Sequence, residues 1–133
     1  MSESGSDGRR AGKLLHRELS YGVIGCAQKV HAAIGPGLPE KVYHRALCLA
    51  LGNAGLGFVS EAAFQVKYEG QACGSFKADL VVDNKIILEL KAAESLCSVH
   101  EAQVLAYLKA SGLRVALLMN FGEKSLVWKR FVK

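Results

Sequence analysis

The stretch KADLVVDNKIILELKA, residues 77–92, constrains this chain's fold more than any other. Successive side chains along a strand point to opposite faces, so Ile86, Ile87, Leu88 and Leu90 make an apolar run on both faces. A strand of that kind belongs inside a sheet that is covered on both sides. Yet Glu89 stands within the run, Asp79 opens the one before it, and Lys91 follows two residues later. Burying charge is costly without a partner. The three residues are therefore candidates for a working acid–acid–lysine cluster. The plain alternative is a surface patch, with Glu89 pairing Lys91 or Lys77 for ~0–1 kcal/mol.

Parity decides whether the cluster closes. Glu89 and Lys91 share a face, with Cα atoms ~7 Å apart. A two-residue turn at Asp83-Asn84 would pair Val82 with Lys85 and put Asp79 opposite Leu88, sending the acids to opposite faces. A three-residue turn, Asp83-Asn84-Lys85, would pair Val82 with Ile86 and Asp79 with Glu89, with Asn84 or Lys85 taking the left-handed bend. A bulge would change either count. In the second register the carboxylates lie ~5 Å apart, a like-charge pair that needs an offsetting proton, lysine or divalent cation. Magnesium suits two carboxylates and retained waters.

The surrounding elements follow from periodicity. Leu15, Leu19, Val23, Ala27, Val30 and Ile34 form one helical stripe, and the GPG at 35–37 stops it. Pro39 suits the first turn of a second helix, which runs to about Asn53. From Phe58 the period becomes two: FVSEAAFQVKY, an EGQ turn, CGSFKADLVV, a DNK turn, then IILELKA. These read as three antiparallel strands. Helical spacing returns from Ser98 to Ser111, with Ser98 and Glu101 matching a capping box. LRVALLMN (113–120) reads as a buried strand and SLVWKRFV (125–132) as a more exposed last one. The order is ααβββαββ, an α+β fold with helices on a central mixed sheet.

On the third helix His100, Gln103 and Tyr107 form one polar row. His100 reads as a surface histidine and Glu101 as a cap. On the second helix Glu40 and Tyr43 share a face, and Glu40 in the first turn also suits the helix dipole. Trp128, Lys129 and Arg130 could touch nucleic acid by stacking and charge, or simply guard an edge strand.

Composition narrows the function classes. The net charge is +5, of which +4 belongs to the body beyond residue 13, a mild excess that suits a phosphate-bearing partner. Cys26, Cys48, Cys73 and Cys97 include no CxxC and make no zinc spacing with the histidines, so reduced, packed thiols are expected. No cysteine has a basic partner at a spacing that implies thiol chemistry. The polar start, residues 1–13, reads as a disordered tail ahead of one domain over 14–133. No run approaches the ~20 apolar residues of a membrane helix, so a cytoplasmic protein is expected.

ADLVV…IILELKA resembles the D…ExK core of the PD-(D/E)xK nuclease superfamily. GPGLPEKVY, through Gly37, Glu40 and Tyr43, is similar to the signature of its small bacterial GxxExxY branch, as is SVHEAQVLAYLKASGLRVALLMNFG. Ala78 stands where the name motif has proline. The resemblance covers about residues 15–132 and implies a restriction-endonuclease-like core. It implies that Asp79 and Glu89 bind Mg2+ or Mn2+, with the Leu90 carbonyl as a third ligand. Lys91 would then lie next to the attacking water, Glu40 would reach the site as a catalytic residue that accepts a proton or binds a second ion, and Tyr43, Gln103 and Tyr107 would line it. The expected function is metal-dependent phosphodiester hydrolysis of nucleic acid, DNA ahead of RNA, with a homodimer as a fitting assembly. The competing expectation is a non-catalytic nuclease-like module that binds nucleic acid or a partner protein without metal.

Overall fold

The computed structural model describes residues 15–133, so the tail expected over 1–13 lies outside the described residues. Helices α1 (Arg17–Ile34) and α2 (Glu40–Asn53) precede strands β1 (Phe58–Tyr68), β2 (Gln71–Val82) and β3 (Ile86–Lys91). Helix α3 (Ser98–Ser111) and strands β4 (Val115–Asn120) and β5 (Val127–Val132) complete the described chain. The strands form one mixed sheet in the order β1-β2-β3-β4-β5. All pairs are antiparallel except β3 with β4, which α3 joins as a parallel crossover. This is the α+β architecture that the element order implies. No helix among the described residues is long and apolar enough to cross a membrane.

Both faces of the sheet are covered, which explains the apolar run in β3. Leu80, Val82, Ile86, Leu88, Leu90, Val115, Leu117 and Met119 pack with α1 and α2. Val81, Ile87, Ala116 and Leu118 pack with Val104 and Leu108 of α3 on the other side. Fully burying a side chain of this size contributes ~1.5–3 kcal/mol, so these two layers dominate the stability.

The turns set the registers. Glu69 and Gly70 take positive φ between Tyr68 and its partner Gln71, the two-residue hairpin geometry. At the next turn Val82 pairs Ile86, which selects the three-residue loop. Its left-handed residues are Asp83 and Asn84 (φ 53° at both), so Asp83, not Lys85, shares the bend with Asn84. Both residue types tolerate that region better than a β-branched one.

Three other expectations change. Helix α3 is capped by His100, whose Nδ1 accepts the Cys97 N–H at 3.2 Å, so Cys97 and not Ser98 is the cap residue. Glu101 instead accepts from Lys129 Nζ at 2.6 Å. Arg130 is buried, donating to Ser20 Oγ at 3.3 Å and to the Leu15 carbonyl, so it pins β5 to α1. Trp128 meets Tyr21 of α1 edge-to-face at 6.4 Å. The Trp128-Lys129-Arg130 trio therefore joins elements of this chain to one another. Among the thiols only Cys26 is buried, while Cys73 and Cys97 are exposed.

Candidate active site

The observed register puts Asp79 across from Glu89, because Leu80 pairs Leu88 immediately before them. Regular pairing stops there, and a reciprocal exchange takes its place. The Asp79 N–H donates to Glu89 Oε2 at 2.7 Å, and the Leu90 N–H donates to Asp79 Oδ2 at 2.8 Å. Two carboxylates thus do the work of two ladder carbonyls, and each uses one oxygen in doing so.

The strand is irregular at this spot. Along β2, Phe76 stacks on Tyr107 of α3 and Ala78 packs beneath α3, whereas Leu80 and Val82 face α1 and α2. Strict alternation would keep these four even-numbered residues on one face. The alternation therefore slips at Asp79. On the neighbouring strand Glu61 takes φ 51° and the pairing skips from Ser60–Leu80 to Ala62–Ala78. The irregular backbone at Glu61 and Asp79 re-aims the side chain, the usual consequence of such a defect in a sheet.

Glu89 is 3% exposed. Burial, then the Asp79 charge, pushes its carboxyl up to about 7, against the Asp79 N–H bond and Lys91, which pull it down. Lys91, half-buried at the end of β3, donates from Nζ to Gln103 Oε1 of α3 at 3.1 Å. Glu40, at the start of α2, is also pushed up, by partial burial of its carboxyl and then by Asp79, with Lys91, His100 and His44 opposing. Tyr107 is raised by burial and then by Glu89 and Asp79. Its ring lies 4.0 Å from Phe76, which stacks on Phe64 at 5.3 Å. Glu40, Asp79, Glu89, Lys91, Gln103 and Tyr107 therefore share one electrostatic neighbourhood built from α2, β2, β3 and α3.

Tyr43 stands apart from it. It is fully buried, stacked on Phe121 at 4.9 Å. Its hydroxyl donates to the Gly35 carbonyl at 2.6 Å and accepts the Leu38 N–H at 3.2 Å. Tyr43 thus ties down the α1–α2 loop that launches Glu40. Leu90 contributes its N–H to Asp79, and its side chain is core.

Sequence reasoning passed over Asn120, at the end of β4. It is fully buried and makes four hydrogen bonds. Oδ1 accepts the Ala93 N–H at 3.0 Å and the Gly122 N–H at 3.1 Å. Nδ2 donates to the Ala93 carbonyl at 3.0 Å and Glu123 Oε2 at 2.8 Å. The Phe121 N–H adds a bond to the Lys91 carbonyl at 2.8 Å. A Cβ on Gly122 would lie 2.3 Å from the Ala93 carbonyl oxygen, so only glycine allows this approach. The clamp fixes the chain just beyond Lys91. Its signal in the sequence is a lone amide closing an otherwise apolar strand, followed two residues on by glycine.

The donor set bears on whether a metal fits. Among the described residues no group of three or more His, Cys, Asp or Glu side chains is disposed to hold a metal ion. Two carboxylates with a free oxygen each, completed by waters, nonetheless suit magnesium, which is commonly bound through one or two carboxylates. Their mutual repulsion, with Glu89 held near neutrality, is what an added cation would relieve.

Comparison with known proteins locates the chain in a family. A family model described as the PD-(D/E)XK nuclease superfamily matches residues 17–131. A solved structure titled "Crystal structure of SSO0001" superposes with a TM-score of 0.55 at 18% identity, over 94% of this chain. The chain spans 61% of that protein's length, and at that identity the likeness speaks for the fold. No curated protein matches.

Proposed function

Since the chain belongs to the PD-(D/E)XK nuclease superfamily, we propose that it hydrolyses phosphodiester bonds of nucleic acid with a divalent metal, DNA ahead of RNA. The observation that carries this reading is the reciprocal Asp79–Glu89 pair with Lys91 beside it on β3. The two free carboxylate oxygens, with the Leu90 carbonyl as a third donor, would hold Mg2+ or Mn2+. Such an ion supplies a water of lowered pKa and charge neutralisation at the phosphoryl oxygen.

The remaining roles belong to the chain. Lys91, steadied by Gln103, orients the attacking water and stabilises the charge developing on the phosphoryl group. Glu40, its carboxyl pushed upward by burial and by Asp79, accepts the proton that this water gives up. Tyr107, stacked on Phe76, lines one side of the cluster. The preference for DNA rests on the family resemblance, and the homodimer on the need to cut two strands with one small site each. A second reading, a non-catalytic module, draws on the same hydrogen bonds, because the exchange stabilises the acid pair even with no ion.

Cleavage separates the two. The protein is expected to nick or degrade DNA with Mg2+ or Mn2+, and Glu89→Ala and Lys91→Ala to abolish it. Cleavage by Lys91→Ala at the wild-type rate would remove this mechanism. Asp79→Asn keeps an acceptor for the Leu90 N–H while removing the charge, so it tests metal without collapsing the strand. A rise in thermal stability with Mg2+ should vanish in that variant.

A further inference from the structure

Helix α2 carries a second stripe beside Glu40. Lys41, His44, Arg45 and Cys48 are spaced by three and four, so they share one side of the helix. Facing them are Ser60 and Glu61 of β1, and the six residues line a cavity of about 390 Å3. Each wall carries a residue joined to the acid cluster through the backbone or the sheet register. Lys41 follows Glu40 directly, and Glu61 is the residue across from Asp79 where β1–β2 pairing is interrupted. His44 lies close enough to Glu40 to act on its carboxyl.

Its charge is available. Among the described residues neither Lys41 nor Arg45 makes an ion pair. His44 is held in place by Ser60, with Nε2 and Oγ 2.7 Å apart. Lys41 and Arg45 also border a second hollow of about 450 Å3 with Val42, Ala46 and Leu49, so the two cations stand on a ridge between concavities. The neighbouring cluster poses a problem that this ridge answers. Three carboxylates with Lys91 as their near cation repel a polyanion, and an adjoining cationic wall offsets that repulsion. Guanidinium takes phosphate oxygens in a fork and ammonium takes them as a point charge, so an Arg–Lys pair one turn apart suits a phosphodiester.

We propose that the α2–β1 cavity is a phosphate subsite, in which Lys41 and Arg45 hold a backbone phosphate of the strand beside the one presented to Asp79, Glu89 and Lys91. The Ser60–His44 pair supplies a hydrogen-bonding wall, and Glu61 bounds it on the side of the sheet. The subsite rests on the nucleic-acid reading above and deepens it.

Binding is measured by fluorescence anisotropy with a short fluorescein-labelled single-stranded oligodeoxynucleotide in EDTA, where no hydrolysis intervenes. The full chain is compared with Lys41→Ala/Arg45→Ala and with Lys67→Ala/Lys109→Ala. The second pair lines a cavity between β1 and α3 and removes the same charge. Losing two phosphate contacts should flatten the slope of log affinity against log salt by about 1.4 and weaken binding roughly tenfold or more at low salt. The control pair should leave the slope within error of wild type. An unchanged slope in Lys41→Ala/Arg45→Ala overturns the subsite while leaving the nuclease reading standing. Equal losses in both double variants also overturn it, since charge alone would then account for the effect. No binding by the wild-type chain, to this probe, to its RNA counterpart or to the corresponding DNA duplex, overturns the subsite and the nucleic-acid reading together.

Discussion

Glu89 shows how one residue can be both a structural liability and a tool. Its carboxyl is held at about 7 because it is buried beside Asp79. A raised carboxyl pKa means that the folded state keeps a proton that the unfolded chain has released. The sign of the linkage follows: the stability from this group is fully present below the ordinary value of 4.5 and is lost as pH rises through about 7. The whole shift corresponds to on the order of 3 kcal/mol. In EDTA, thermal stability is therefore expected to fall across that window. A divalent ion held as proposed would compete with the proton, so Mg2+ should raise the melting temperature more above the upper end of the window than below it. Glu89→Gln should flatten both trends in a thermal-shift series. A wild-type response to Mg2+ that is equal on both sides of the window would disconnect the acid from the metal. The identity of this residue was legible in the sequence, as a lone acid in an apolar strand. Its exchange of hydrogen bonds with Asp79 was not, because that depends on where two strands stop pairing.

Among the elements, the ends of β3 and β4 matter most. Lys91 lies at the mouth of the sheet, where a strand would ordinarily fray, and the Asn120 side chain stitches the following residues to β4 through both polar groups of Ala93. Asn120→Ala would leave those groups, the Gly122 N–H and a Glu123 oxygen short of a partner. Each buried orphan costs ~1–3 kcal/mol where water cannot replace the lost bond. A loss of roughly 2–4 kcal/mol is expected from urea unfolding, together with faster amide exchange at Ala93 and Phe121 and lower cleavage. Stability and exchange at wild-type levels would mean the clamp is ornamental. The Asp83–Lys85 turn is the other decisive element. The sequence left two registers open there, and positive φ at Asp83 and Asn84 selected the one that brings the acids together. Helix α3 carries the opposite lesson. Ser98 and Glu101 match a cap by spacing, yet Glu101 bonds Lys129, a residue far along the chain, and His100 takes over the cap.

At the scale of the molecule, one sheet separates two cores, and every strand from β2 to β5 contributes to at least one of them. Coupling through a shared sheet predicts one cooperative unfolding transition. Leu88 is fully buried in the layer under α1 and α2. Leu88→Ala should cost ~2–5 kcal/mol by loss of burial and creation of a cavity. The urea midpoint should fall, with Trp128 fluorescence and far-UV circular dichroism still coincident. Separate midpoints for the two probes would show that α1 and β5 unfold independently of the rest. Arg130 is the reason to expect otherwise, since it bonds α1 to the last strand from within the protein.

Element order, the mixed sheet and the candidate acids and lysine could all be read from the chain itself. Hydrophobic period and turn residues are local properties, and they report strand, helix and break wherever the structure obeys them. Tertiary structure alone decided which face each charge meets: the slip of alternation at Asp79, the withdrawal of Tyr43 into the core, the burial of Arg130 and the four bonds of Asn120. Each of these depends on a partner distant along the chain or on a defect in strand pairing. Spacing cannot encode such choices, because a single residue's offset reverses the direction in which a side chain points.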